Sequence, residues 1–185
     1  LDFFAGSGQL GLKMSGIDPR FTLGEMALER DAVLRRLAEA GLLTRNRALA
    51  VNTGSHPGPE VTPYQMIGGD AQVRNLIDRF YDLMDEIPEY HGIRKMHPQD
   101  MSTSRDKLYT FLSGWLGGPP LYMEKYGHAM LRARHLPFAI GIPERDAWLA
   151  CMLQAMEDQG IEETLRMALL KAFHGTADWM RNKPD

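Results

Sequence analysis

Apolar side chains recur at the i, i+3, i+4 and i+7 spacing of amphipathic helices along most of the chain after Tyr64. Four separate stripes have this spacing, and each is long enough for a helix of several turns. They comprise Val73, Leu76, Ile77, Phe80, Tyr81 and Met84; Leu108, Phe111, Leu112, Trp115 and Leu116; Trp148, Cys151, Met152 and Ala155; and Leu165, Ala168, Leu169, Ala172, Phe173, Thr176 and Met180. No alternating strand pattern competes in this region, so the sequence predicts an all-α domain.

Capping and helix-breaking residues agree with these stripes. The predicted helices begin near Asp70, near Ser102 to Ser104 and at Pro143, and the first three end by Pro88, by the Gly117 to Pro120 run and by Gly160. Glycine and proline between Gly127 and Ile140 leave room for at least one short helical piece. A set of this kind packs as a bundle or as a crossed sandwich of helices.

The first third of the chain has a different character. Leucine, methionine and valine recur at helical spacing from Leu23 to Leu37, and glycine, proline and small polar residues then concentrate after Ala50. We therefore expect an N-terminal extension of mixed or irregular structure over 1–49, a linker over 50–63 and a domain over 64–185. The extension is interpreted as a possible fragment of another domain.

Two weak signals lie in this extension. The run from Asp2 to Gly8 is similar to the glycine-rich turn that opens many nucleotide and S-adenosylmethionine sites, but the strands of such a site do not follow, so an ordinary turn or a truncated remnant is the simpler interpretation. The segment from Gly11 to Ala48, with the run SGIDPRFTLG from Ser15 to Gly24, faintly resembles part of the large subunit of exonuclease VII. That resemblance implies a nucleic-acid-related activity as an alternative function.

Composition narrows the possible partners and compartments. The 21 basic and 24 acidic side chains leave a net charge of -3, which makes nucleic acid an unexpected partner. The single cysteine, Cys151, excludes an intramolecular disulfide and a cysteine-built metal site. We expect a cytoplasmic protein, since no apolar run is long enough to span a membrane and no signal peptide precedes the domain. The chain begins at Leu1, so the sequence is interpreted as a possible fragment.

His135 has the most suggestive surroundings of the six histidines. It follows Arg132 and Arg134, precedes an apolar run that ends at Phe138, and lies in a short segment bounded by glycine and proline. An imidazole there can bind a metal while guanidinium groups pair with carboxylates and apolar side chains pack against a flat cofactor. The same pattern also fits a solvated basic turn, and spacing alone does not decide between the two.

Three further residues have both a structural and a functional interpretation. Tyr81 and Trp148 fall on apolar stripes, so they are either core aromatics or donors that point into a shared cavity. His97, between Met96 and Pro98, is either an exposed imidazole or a distal polar group of a cofactor pocket.

A linked series of motifs resembles one family. It consists of FLSGWLGGPPLY from Phe111 to Tyr122, GH at Gly127, LRARHLPF from Leu131 to Phe138 and ERDAWL from Glu144 to Leu149. In order and spacing this series is similar to the group II truncated haemoglobins, over about 115 residues. The resemblance implies a shortened globin fold in which two helices cross over two others.

Matching positions carry the family's roles onto this sequence. By resemblance, His135 corresponds to the proximal iron ligand, Trp148 and Tyr81 to distal donors, and Gly68 with Gly69 to a glycine hinge. Arg134 and Tyr122 correspond to positions near the haem propionates, and Ser104, Leu108 and Phe111 to the pocket side of the distal helix. Phe138, in the apolar run after His135, is expected to bind the cofactor by packing against it. His97 stands where the family more often has phenylalanine or tyrosine, which leaves the distal hydrogen-bond network open.

The resemblance implies a cofactor and a set of ligands. These are haem b with its iron, and dioxygen, nitric oxide or carbon monoxide as ligands. A redox role in nitric oxide or peroxide detoxification, with peroxidase-like or nitric oxide dioxygenase activity, an unidentified reductase and a homodimer are further expectations. The alternative is a helical interaction module without a cofactor, whose aromatic residues only fill the core.

Overall fold

The computed structural model describes residues 61–184, and the regular structure in that range is helical throughout. The helices are α1 Pro63–Ile67, α2 Asp70–Glu86, α3 His91–Arg94, α4 Ser102–Trp115, α5 Leu121–Tyr126, α6 Leu131–His135, α7 Ile142–Asp158 and α8 Glu163–Trp179, with a 3-10 turn at Pro88–Tyr90. The predictions that concern residues 1–49, and most of the predicted linker, lie outside the described residues.

The four long helices are those that the apolar stripes predict. α2 begins at Asp70, α4 at Ser102 and α7 one residue before Pro143, and each ends before the predicted breaker. α8 begins after Glu162, whose carboxylate accepts from the backbone N–H groups of Thr164 and Leu165 and so caps the helix. The all-α prediction is therefore confirmed for the described part of the chain.

The long helices pack as two crossed pairs. α2 lies against α4 and α7, and α7 lies against α8. Trp115 at the end of α4 stacks on Phe173 of α8, with ring centroids 4.8 Å apart, which closes the arrangement on its fourth side. The predicted two-over-two sandwich is confirmed, and its shared interior holds the buried apolar faces of all four helices.

Several short elements were not predicted, because each is too short for a periodic apolar pattern to show. α1 is an example: Thr62 and Gln65 form a reciprocal capping box, and the Tyr64 N–H donates to the Leu116 carbonyl at 2.9 Å. Gly68, the C-cap residue of α1, has a φ of 117°, which favours glycine. α1 therefore docks on the end of α4.

None of the helices between residues 61 and 184 combines the length and the apolar character that crossing a membrane requires.

Candidate functional site

His135 lies at the end of α6 and is 1% exposed. Its Nδ1 is 2.6 Å from the backbone carbonyl oxygen of Leu131, one turn earlier. Because a carbonyl oxygen only accepts, Nδ1 carries the proton, and the neutral ring therefore has its lone pair on Nε2. This tautomer is the one in which Nε2 can coordinate a metal.

A second buried histidine, in the segment between α3 and α4, is held in the same way. His97 is 7% exposed, and its Nδ1 donates to the Ile93 carbonyl oxygen at 2.9 Å. The neutral ring therefore presents Nε2 as an acceptor. The interpretation of His97 as an exposed imidazole is therefore excluded, and its role as a distal polar group stays a prediction.

Tyr81 and Ser104 adjoin His97. The Tyr81 ring packs edge-on against the His97 ring with centroids 5.6 Å apart, and its phenol donates to the Ser104 carbonyl oxygen at 3.4 Å, a long hydrogen bond. The Ser104 hydroxyl is fully buried and has no hydrogen-bond partner among the described residues. These three residues, from α2, α4 and the segment between them, form one polar cluster.

Trp148 of α7 packs against Phe80, whose ring also packs against Tyr81 of this cluster. The Phe80 ring centroid is 5.1 Å from that of Tyr81 and 5.4 Å from that of Trp148. Trp148 is 3% exposed and helps to line an apolar cavity of about 20 Å³. The cavity is lined by Leu108, Phe111, Leu112, Trp115, Leu131, Trp148, Phe173, Thr176 and Ala177. A space of this size is just large enough for one molecule about as small as water, and its apolar walls favour a non-polar one.

The predicted propionate residues meet at another edge of the site. Tyr122 of α5 packs edge-on against Phe111, with ring centroids 6.1 Å apart. The pKa of the Tyr122 phenol is raised above its usual value, because the effect of burial exceeds the opposing effect of the Arg134 charge. Arg134 is half-buried and donates from Nε to the Ala129 carbonyl oxygen at 2.8 Å, so the rest of its guanidinium remains able to bind an anion.

Lys107 is a candidate that the sequence analysis missed. It is only 5% exposed, which is rare for lysine, and its ammonium lies 5.7 Å from the Tyr126 ring centroid. The sequence could have indicated this residue, because Lys107 lies between Ser104 and Leu108 on the predicted pocket side of α4.

The remaining candidates differ in burial. Phe138 is half-buried beside His135, whereas His91, His128 and His174 are exposed.

These residues fit a haem. His135 offers a buried imidazole whose Nδ1 is held by the Leu131 carbonyl oxygen, the arrangement of a histidine that ligates haem iron. The cavity walls next to α6 are apolar, and Arg134 and Lys107 supply positive charge for an anionic edge. A crossed helical sandwich with a buried imidazole fixed in this tautomer has the architecture of a haem-binding globin.

Known proteins agree with this class. A family described as bacterial-like globin matches residues 62–182. A group 2 truncated hemoglobin of Bacillus subtilis is 41% identical over 123 residues, which cover 66% of this chain and 90% of that protein.

Solved structures agree as well. A group II 2-on-2 hemoglobin from Agrobacterium tumefaciens is 46% identical with a TM-score of 0.66, covering 70% of this chain and 100% of that one. A cold-adapted truncated hemoglobin from Pseudoalteromonas haloplanktis is 39% identical with a TM-score of 0.64, covering 66% and 99%.

The chain belongs to the bacterial-like globin family, as a group II truncated haemoglobin. It is accordingly a globin of the kind that holds haem and binds oxygen.

Proposed function

We propose that this chain binds haem b, that His135 Nε2 would coordinate its iron, and that the bound haem would take dioxygen, nitric oxide or carbon monoxide as a ligand. The observation that carries the proposal is the 2.6 Å hydrogen bond from His135 Nδ1 to the Leu131 carbonyl oxygen. This bond fixes the tautomer, orients the ring and makes Nε2 more basic. Hydrogen bonds to histidines that ligate metals have the same effects.

Arg134 and Lys107 would hold the two carboxylates of the haem at the edge where Tyr122 is buried. Leu108, Phe111 and Phe138 would contact the macrocycle, because they surround or adjoin the apolar space next to α6. The haem, when bound, supplies an iron atom that takes a diatomic ligand and exchanges electrons with it.

The distal residues would then discriminate between ligands. The indole N–H of Trp148 can only donate, and the Ser104 hydroxyl and the Tyr81 phenol can donate or accept. A polar diatomic such as dioxygen gains more from such donors than carbon monoxide does. The neutral His97 ring would accept a proton or a hydrogen bond at Nε2.

Strong distal donors favour slow oxygen release. A protein that releases oxygen slowly is poorly suited to bulk delivery, so we propose a role in redox chemistry, with nitric oxide or peroxide as the substrate and a reductase as the electron source. One solved relative from Bacillus subtilis, 41% identical with a TM-score of 0.60, is described as a truncated oxygen-avid haemoglobin, which supports slow release here.

The test is an absorption spectrum of the purified chain after reconstitution with haem. We expect a Soret band and a ferrous spectrum that responds to carbon monoxide. His135→Ala should abolish tight haem binding, whereas His174→Ala, which changes an exposed histidine, should not alter the spectrum.

Two results would contradict the proposal. If the wild-type chain gave no Soret band, the helical interaction module would become the better account. If His135→Ala and wild type had the same spectrum and the same haem affinity, another residue would be the iron ligand.

A further inference from the structure

The helix that bears His135 is poorly supported by its own residues. α6 has only five residues, and it follows Met130, whose φ of 47° lies in the left-handed region that disfavours side chains other than glycine. A helix of this length has too few internal hydrogen bonds to be stable alone. Its position must therefore be set by contacts from other parts of the chain.

Asn182, beyond the end of α8, forms four hydrogen bonds with the last residue of α6 and the segment that follows it. Its side-chain Nδ2 donates to the carbonyl oxygens of His135 at 3.1 Å and Phe138 at 2.7 Å. Its Oδ1 accepts from the Ile140 N–H at 3.1 Å, and its own N–H donates to the Ile140 carbonyl oxygen at 2.9 Å. One residue therefore binds both ends of the loop from His135 to Ile140.

Both polar atoms of the asparagine amide form hydrogen bonds in this arrangement. Both Nδ2 hydrogens go to carbonyl oxygens, and Oδ1 takes a backbone N–H. Aspartate has nearly the same shape but no donor, and its carboxylate would face two carbonyl oxygens. Replacement of Asn182 by aspartate therefore turns two attractions into repulsions with almost no change in volume.

Asn182 is itself anchored to the helical sandwich. Arg132 of α6 donates to the carbonyl oxygen of Trp179 and, at 3.5 Å, to that of Arg181. Asp178 accepts from Arg145 of α7 and from Arg181 at 3.1 Å. The C-terminal segment from Asp178 to Asn182 thus connects α6 to the two long helices α7 and α8.

We propose that Asn182 is a positioning residue that sets the geometry of the bond between His135 and the haem iron, an inference that rests on the proposed function. His135 is held at its carbonyl oxygen by Asn182 and at its ring by the Leu131 carbonyl oxygen. With both points fixed, the ring cannot tilt or withdraw from the cofactor. Loss of the Asn182 amide frees the backbone end, weakens the Nδ1 hydrogen bond and makes Nε2 a poorer donor to iron.

The experiment compares haem-loaded wild type with Asn182→Ala and Asn182→Asp. Lys183→Ala is the matched control, because the Lys183 side chain is exposed and only its backbone N–H bonds Ile140. The iron–histidine stretching frequency of the ferrous protein is measured by resonance Raman spectroscopy, and haem loss is measured by transfer to an excess of another apoglobin. Thermal unfolding is recorded in parallel.

Both Asn182 variants should have a lower iron–histidine frequency than wild type, with Asn182→Asp the lower of the two. Groups that orient a metal ligand typically change metal affinity about 10- to 100-fold, so we expect haem loss at least about tenfold faster. Lys183→Ala should match wild type. An unchanged frequency and rate of haem loss, even with a lower melting temperature, would reduce Asn182 to a structural residue and overturn the proposal.

Amide hydrogen exchange in the wild-type chain decides the case if neither variant folds. If the Ile140 N–H is protected well above an exposed loop amide, the hydrogen bonds between Asn182 and this loop are supported. Unprotected exchange of this N–H overturns the proposal. The wild-type spectrum separates the two proposals. Absence of a His135-dependent haem spectrum defeats the proposed function and this inference with it, whereas a normal spectrum with unaltered Asn182 variants defeats this inference alone.

Discussion

Trp148 and Tyr81 offer different things to a ligand, although sequence periodicity treats them alike. Both lie on buried stripes and both carry a polar tip. The Tyr81 phenol already donates to the Ser104 carbonyl oxygen, so a ligand has to compete for its proton or use its oxygen as an acceptor. The indole N–H of Trp148 has only one role, which is to donate. Trp148 is therefore the stronger candidate for holding dioxygen.

Replacement of Trp148 tests this ranking. Loss of one buried donor at about 1 to 3 kcal/mol should make oxygen dissociate roughly 5-fold to 150-fold faster in Trp148→Phe. Stopped-flow measurement of oxygen release gives the rate, and Trp179→Phe, which changes a partly exposed tryptophan of α8, serves as the control. Equal rates in Trp148→Phe and wild type would show that the indole does not reach the ligand.

The sequence predicts most of the candidate site residues but not the tautomers of its histidines. His135 was singled out by its neighbours and assigned a role by resemblance, and the tautomer follows only from the Leu131 carbonyl oxygen that the fold brings to Nδ1. The same holds for His97, whose acceptor Nε2 depends on Ile93. Asn182 could not be found from sequence, because its partners lie more than 40 residues away along the chain.

At the scale of helices, the long elements were predictable, as was a short piece between Gly127 and Ile140, where α6 lies, whereas the other short elements were not. The stripes of α2, α4, α7 and α8 repeat over several turns, whereas α1 depends on contacts with the end of α4. Gly118 is part of that contact. A Cβ atom at Gly118 would lie 2.5 Å to 2.8 Å from ring carbons of Tyr64, closer than non-bonded carbon atoms approach.

Gly118→Ala should therefore displace Tyr64 and loosen α1. Insertion of one methyl group into a packed contact typically costs about 1 to 3 kcal/mol, and we expect a loss of unfolding free energy in that range. Urea unfolding gives the value. Gly92→Ala in α3 is the matched control, because a Cβ atom there meets nothing within 4 Å. Equal stabilities of the two variants would mean that Tyr64 moves aside without cost.

For the molecule as a whole, alkaline pH should lower stability through Cys151. Its thiol is fully buried between α7 and α2 and donates to the Phe80 carbonyl oxygen at 3.3 Å. Burial raises the pKa of this thiol to about 12. The unfolded chain therefore releases the thiol proton at a lower pH than the folded chain does, so the stabilising effect is complete at neutral pH and is lost as pH rises towards 12.

Unfolding free energy measured between pH 8 and pH 11 checks this, with an expected thiol contribution to the slope of at most about 1.4 kcal/mol per pH unit. Cys151→Ser keeps a donor for the Phe80 carbonyl oxygen and does not titrate in this range, so its profile should be flatter. Parallel profiles for the two proteins would refute the assignment. In the native state the thiol should also resist alkylation at neutral pH.

The position of Phe80 has a consequence for how this globin adapts. Its ring contacts both Tyr81 and Trp148, so a single side chain packs against two proposed donors that come from different helices. Replacing it by a smaller or larger residue would shift both donors at once, and the effects of changing Tyr81 and Trp148 together would then differ from the sum of the separate effects. Under the proposed function, gas selectivity can thus evolve through a residue that donates no hydrogen bond itself.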